Sequence, residues 1–106
     1  MISRIWHGWT APANADAYEA LLRSTVFPGI LARNVPGFRG IELLRRATGE
    51  EVEFITIMLF DSLESIAAFA GPDPERAVIP PAVQALLSRY DGRSQHYEVR
   101  ERRETG

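Results

Sequence analysis

Val52-Glu53-Phe54-Ile55-Thr56-Ile57-Met58-Leu59-Phe60 decides the fold. The run is rich in β-branched and aromatic residues and holds no proline or glycine, so it reads as a strand. Phe54, Met58 and Phe60 point one way along it, and Ile55, Ile57 and Leu59 the other. A strand that is apolar on both faces belongs in the middle of a sheet.

Working outward, Phe38 to Arg46 precedes it across a Thr48-Gly49-Glu50 turn. Two runs joined by a short glycine-containing loop make an antiparallel hairpin. Ile2 to Thr10 is a first strand, with Trp6 on one face and Ile5 and Trp9 on the other. Ser94 to Glu101 alternates and reads as the last strand. The first and third strands are apolar on both faces. The second and fourth carry more charge (Arg39, Glu42, Arg45 and Arg46; Glu98, Arg100 and Glu101), which suits sheet edges.

Helices fill the intervals. Asn14 stands as an N-cap with Asp16 in the first turn, and Tyr18, Leu21, Leu22, Thr25 and Val26 follow at helical spacing. Pro28-Gly29 is expected to break or kink that helix, with a further turn over Ile30 to Arg33. Pro36-Gly37 makes a corner. Asp61 and Glu64 resemble a capping box before the apolar face of Leu63, Ile66, Ala67 and Phe69. Gly71-Pro72-Asp73-Pro74 ends this helix, and Pro80 to Tyr90 begins a short helical piece. The order strand, helix, strand, strand, helix, strand predicts an α+β, ferredoxin-like βαββαβ fold. Right-handed crossovers give a four-stranded antiparallel sheet in the order 4-1-3-2, both helices on one face. The 106 residues form a single domain, 1–106.

Composition removes several chemistries. With no cysteine there is no disulfide, thiolate nucleophile or cysteine metal site. All twelve basic residues are arginine, which excludes a lysine Schiff base on this chain. Two histidines, His7 and His96, cannot build a three-histidine metal site, and no metal is expected. A net charge of −2 gives no reason to expect nucleic-acid binding. No apolar segment is long enough to span a bilayer and the N-terminus lacks a signal pattern, so a soluble cytoplasmic protein without a membrane partner is the expectation.

Two helices cover only one face of the sheet, yet its central strands are apolar on both. A patch of that size left in water is unusual for a monomer. The simplest cover is the same face of a second copy about a two-fold axis, so a homodimer is expected.

Arg4-Ile5-Trp6 in the first strand, Pro36-Gly37-Phe38-Arg39-Gly40 entering the second, Phe60-Asp61-Ser62-Leu63-Glu64 at the second helix and His96-Tyr97-Glu98-Val99 in the last strand resemble the antibiotic biosynthesis monooxygenase domain family. The resemblance covers nearly the whole chain. It implies a dimeric α/β barrel with a cavity between sheet and helices in each protomer. It does not imply one activity: some members oxidise phenolic aromatics with dioxygen and no metal or flavin, and on that model a small phenolic or quinol-like substrate and no cofactor are expected here. Other members degrade haem, using a strand-one asparagine, a helix-two tryptophan and an axial histidine. The corresponding positions here are Trp6, Phe69 and about Ile79, none of which matches, so haem degradation is disfavoured.

Cofactor-free oxygenation needs a dry aromatic cavity, a group that moves a proton and a group that stabilises a phenolate. Trp6, Phe60 and Phe69 are the candidate walls, Arg4 the anion stabiliser on the same strand face as Trp6, and His96 the candidate catalytic base. Alternation sends His96 and Tyr97 to opposite faces, and their parity is open from sequence. His7 points away from Trp6, toward the expected interface. Asp73 to Arg76 is a candidate lid over the cavity mouth. The competing reading of the same residues is a non-catalytic dimeric binding or structural module with a filled core.

Overall fold

The computed structural model describes residues 1–106. Strands β1 (Ile2–Thr10) and β3 (Val52–Phe60) run antiparallel over their full length, Ile2 opposite Phe60 and Thr10 opposite Val52. Strand β2 (Phe38–Ala47) holds the other edge of β3, with a register shift between Phe38 and Gly40. Two short strands, β4 (Arg89–Tyr90) and β5 (Gln95–Glu98), both pair with the free edge of β1.

This is the expected 4-1-3-2 order, but β4 forms at the end of the segment Pro80 to Tyr90 that was expected to be helical, so the edge beside β1 is filled by two pieces with a break between them. The break has a local cause. Between β4 and β5 the backbone turns to a different partner: Ala77 N donates to Gly92 O at 3.0 Å and Ser94 N to Glu75 O at 2.6 Å. Strand β5 also stops at Glu98, short of the expected Glu101. The arginines and glutamates beyond it are mostly exposed and pair with one another.

The first helical region does not break at Pro28. Helix α1 (Ala15–Leu21) passes through a π-helical turn, Leu22–Val26, into α2 (Phe27–Ala32). Pro28 is the second residue of α2, directly after the widened turn, where its missing amide is tolerated. Asn14 makes no side-chain cap. Asp16 and Glu19 instead accept hydrogen bonds from Arg45 on β2, at 2.9 and 3.1 Å. Helix α3 (Leu63–Ala70) is capped one residue later than expected. Ser62 and Ser65 form the reciprocal pair, while the Asp61 carboxylate accepts from Arg39 Nε at 2.7 Å. Gly71, at φ +89°, ends α3, and a single turn, α4 (Pro81–Gln84), follows the loop.

All helices lie on the sheet face that carries Trp6, Phe54, Met58 and Phe60. Ala15, Tyr18 and Leu22 pack on Val52, Phe54 and Val83 in one cluster; Ile66 and Phe69 pack on Met58 and Phe60 in another. Gly37 lets β2 begin against α3. Its φ is +83°, and a Cβ there would lie 2.6 Å from Ser65 Cβ.

The opposite sheet face carries no helix. Ile5, Trp9, Ile55, Ile57 and Leu59 are only half-buried there, and Leu44 is exposed. A charged cluster borders them. Glu53 accepts from Arg46 Nε at 2.7 Å and lies 3.3 Å from His7 Nδ1, and these hydrogen bonds hold its carboxyl below the usual range.

Candidate functional site

The β1–β5 register settles the parity left open by the sequence. His96 pairs with Arg4 and Glu98 with Ile2, on the helix-covered face; Tyr97 and Gln95 fall on the open one.

Between the sheet and the helices lies a cavity walled by Trp6, Met58, Phe69, Leu22, Phe27 and Ile30, with Val78, Ile79 and Pro80 from the loop before α4. Its polar groups are few: Arg4, Tyr18, Thr56 and Ser94. The cavity volume is about 60 Å³. That is room for about two waters. A planar aromatic therefore needs the mouth to open, and the irregular segment that supplies Val78 to Pro80 is the wall with the least regular backbone.

Arg4 is 3% exposed and has no carboxylate within ion-pair distance. Its guanidinium donates from Nη1 to Pro74 O and from Nη2 to Arg76 O at 2.9 Å. Nη1 also lies 2.7 Å from His96 Nε2. Since guanidinium only donates, that imidazole nitrogen must be the unprotonated acceptor. Burial pushes the guanidinium below its ordinary value, and the charge of Glu75 opposes this. Burial, then the positive charge of Arg4, likewise lowers His96, with Glu75 again opposing. His96 is thus neutral near pH 7.

Each candidate from the sequence has a definite position. Arg4, Trp6 and Phe69 border the cavity. The Trp6 indole N–H donates to Asp91 O at 2.7 Å, leaving an apolar ring surface for the wall. The ring leans over Gly8, where a Cβ would lie 2.8 Å from Trp6 Cη2. Phe69 is backed by Arg33, whose guanidinium carbon is 4.9 Å from the ring centre. Phe60 does not border the cavity. It is fully buried between Phe38 and Phe69, at ring distances of 5.3 and 5.6 Å, because the β3 alternation brings it under α3. His96 does not border it either; it stands behind Arg4. The Asp73–Arg76 segment is tied to β1 through the two carbonyls that Arg4 binds.

The sequence reading passed over three polar groups, Tyr18, Thr56 and Ser94. Tyr18 stood among the core positions of the first helix. It is fully buried, 4.6 Å from the Phe54 ring, and its hydroxyl has no hydrogen-bond partner. Burial holds that hydroxyl well above the usual phenol range, so it stays protonated. The signal available was a tyrosine, rather than a phenylalanine, on a buried stripe. No cluster of three histidine, aspartate or glutamate side chains is arranged to hold a metal ion, and no helix is long and apolar enough to cross a membrane.

No protein-family model matches the chain, and no curated protein matches it by sequence. Solved structures do. A monooxygenase from the ActVA-Orf6 gene of Streptomyces coelicolor, in complex with nanaomycin D, is similar over 99% of this chain and 92% of its own, with 18% identity and a TM-score of 0.68. The haem degrader MhuD of Mycobacterium tuberculosis, with two haems in its active site, is similar over 98% and 100%, with 23% identity and a TM-score of 0.59. SnoaB, a cofactor-independent oxygenase from Streptomyces nogalater, is similar over 95% of both chains, with 21% identity and a TM-score of 0.54. At these identities the likeness is one of fold: the chain has the α+β, ferredoxin-like fold of antibiotic biosynthesis monooxygenase-type proteins.

Proposed function

We propose that the chain is a cofactor-independent monooxygenase that oxidises a small phenolic or quinol-like aromatic in the cavity between sheet and helices. The observation that carries this reading is Arg4: a desolvated cation with no carboxylate within ion-pair distance, bordering a cavity with aromatic walls. Such a group favours an anion beside it, and a phenolate is the anion that also suits the walls. The oxygenases among the structural neighbours support the same reading.

Arg4 lowers the cost of ionising the phenol, whose proton leaves through the mouth. His96 is a positioning residue that holds Nη1 while staying neutral itself, so no second positive charge competes with the guanidinium. The electron-rich phenolate passes one electron to dioxygen. The resulting pair combines into a C–O bond at a ring carbon. Loss of that carbon's proton and cleavage of the O–O bond leave a quinone and one water. For 1-naphthol the balance is naphthol plus dioxygen to 1,4-naphthoquinone plus water. The apolar walls keep bulk water from the intermediate.

Haem does not fit these residues. No imidazole borders the cavity, and Tyr18 is held protonated rather than as the anion that ligates iron. The cavity volume of about 60 Å³ admits neither a porphyrin nor a naphthol until the mouth opens, so it does not separate the two. That same volume favours one further reading, a non-catalytic binding or structural module with a packed interior. In either case we propose that the open sheet face is covered by a second copy, because Ile5, Ile55, Ile57 and Leu59 form an apolar strip there.

The deciding experiment supplies chelator-treated protein with 1-naphthol under ¹⁸O₂. The reading expects 1,4-naphthoquinone carrying one labelled oxygen, with the other in water. Tight naphthol binding with no oxygen uptake by any hydroxynaphthalene would favour the non-catalytic module.

A further inference from the structure

We infer that the Tyr18 hydroxyl is a ligand-recognition group, donating a hydrogen bond to a carbonyl-type oxygen at the end of the ligand remote from Arg4. The inference deepens the cavity reading above and rests on it.

A buried tyrosine hydroxyl almost always finds a partner, since leaving it unmade costs roughly 1–3 kcal/mol. Tyr18 is fully buried, borders the cavity and has none. Phenylalanine would fill the same place against Phe54 without that cost. A donor retained there has its acceptor in whatever fills the cavity. The hydroxyl stays protonated, so it donates and does not itself ionise. The acceptor is a neutral oxygen, such as a ketone or quinone carbonyl, because Arg4 at the other end is the one cation lining the cavity and a second anion beside Tyr18 would be buried without a partner.

The two polar groups address different ends of the ligand. Arg4 lies opposite Met58 in the β1–β3 register, whereas Tyr18 packs at a tilt against Phe54, which lies opposite Gly8. Those rungs are four residues apart, about 13 Å along the strands. With side chains reaching in from both ends, that separation suits a fused two-ring system, which enters only when the mouth opens. A ligand with its ionisable hydroxyl at one end and its carbonyl at the other meets both groups.

Two probes test this by anaerobic fluorescence titration: 2-naphthol, and 6-acetyl-2-naphthol, which adds a carbonyl at the far end. Wild type is expected to bind the acetyl compound about five- to tenfold more tightly than 2-naphthol, as one added hydrogen bond gives. Tyr18→Phe is expected to abolish that preference, to keep the 2-naphthol affinity, and to leave the free protein at least as stable to urea as wild type. The same preference in Tyr18→Phe, or a loss of stability showing that the hydroxyl serves the fold, would overturn the inference. Failure of wild type to bind either probe would instead remove the cavity reading beneath it.

Discussion

Arg4 Nη1 lies 2.7 Å from His96 Nε2, across the β1–β5 pair and on the helix-covered side of the sheet. A cation and an imidazole at that distance are compatible only while the imidazole is neutral. The pair therefore links the site to pH, and through Arg4 it links the sheet to the loop carbonyls of Pro74 and Arg76.

The folded protein holds His96 below its ordinary value near 6.5. Between the folded and unfolded values the unfolded chain binds the extra proton, so this contribution to stability is present above pH 6.5 and is lost as pH falls. His96→Gln keeps an acceptor for Arg4 and cannot titrate. Urea denaturation is expected to show wild type losing stability between pH 7 and 5 relative to His96→Gln. Parallel pH profiles for the two proteins would contradict the neutral pairing.

Gly8 makes room for the Trp6 ring. Gly8→Ala is expected to push the indole into the cavity, weakening 2-naphthol binding at least tenfold and costing about 1–3 kcal/mol of stability through overpacking. Titration of the folded variant checks the first, denaturation the second. Unchanged affinity would mean that Trp6 has another way to move.

Gly37 combines a φ of +83° with a Cβ site 2.6 Å from Ser65 Cβ. Gly37→Ala is expected to destabilise the protein by about 2–4 kcal/mol, from backbone strain and the clash together. Gly49 has a similar φ of +92° but open space around it, so Gly49→Ala carries only the strain and costs less. Thermal denaturation of both variants checks the order.

The uncovered sheet face predicts the state of assembly. Light scattering is expected to give twice the 11.9 kDa chain mass at micromolar concentration, and Ile57→Arg is expected to give a monomer. A wild-type monomer would mean that the strip of Ile5, Ile55, Ile57 and Leu59 is tolerated in water.

Much of the fold was legible because it rests on alternation. The β3 run, the hairpin at Thr48 to Glu50 and the charged edges fix the strand order without reference to loops. The misreadings lie where two local signals compete. Pro28 reads as a helix break, but a π turn before it carries the backbone through. Asp61 with Glu64 and Ser62 with Ser65 both fit a capping spacing; Asp61 goes to Arg39 on β2, a partner remote in sequence. The edge beside β1 is filled in two pieces because residues 75–77 compete for the backbone between them.

The site was legible in part, for a related reason. Arg4 and Trp6 follow from strand parity, and Phe69 from its helical face. Phe60 shares a face with Met58 yet lies under α3, beyond the cavity, and periodicity does not give the distance along a strand at which a cavity ends. The missing partner of Tyr18 is a property of the assembled core, invisible to any local pattern.

The central claim is that the cavity takes up a phenol and that Arg4 ionises it. Optical titration of 2-naphthol bound under anaerobic conditions tests it most directly. Wild type is expected to show the naphtholate spectrum at a pH where free naphthol is neutral, and Arg4→Met is expected to raise the bound ionisation to its free value or above, as burial alone does. Bound naphthol that ionises at the same pH in both proteins would contradict the account.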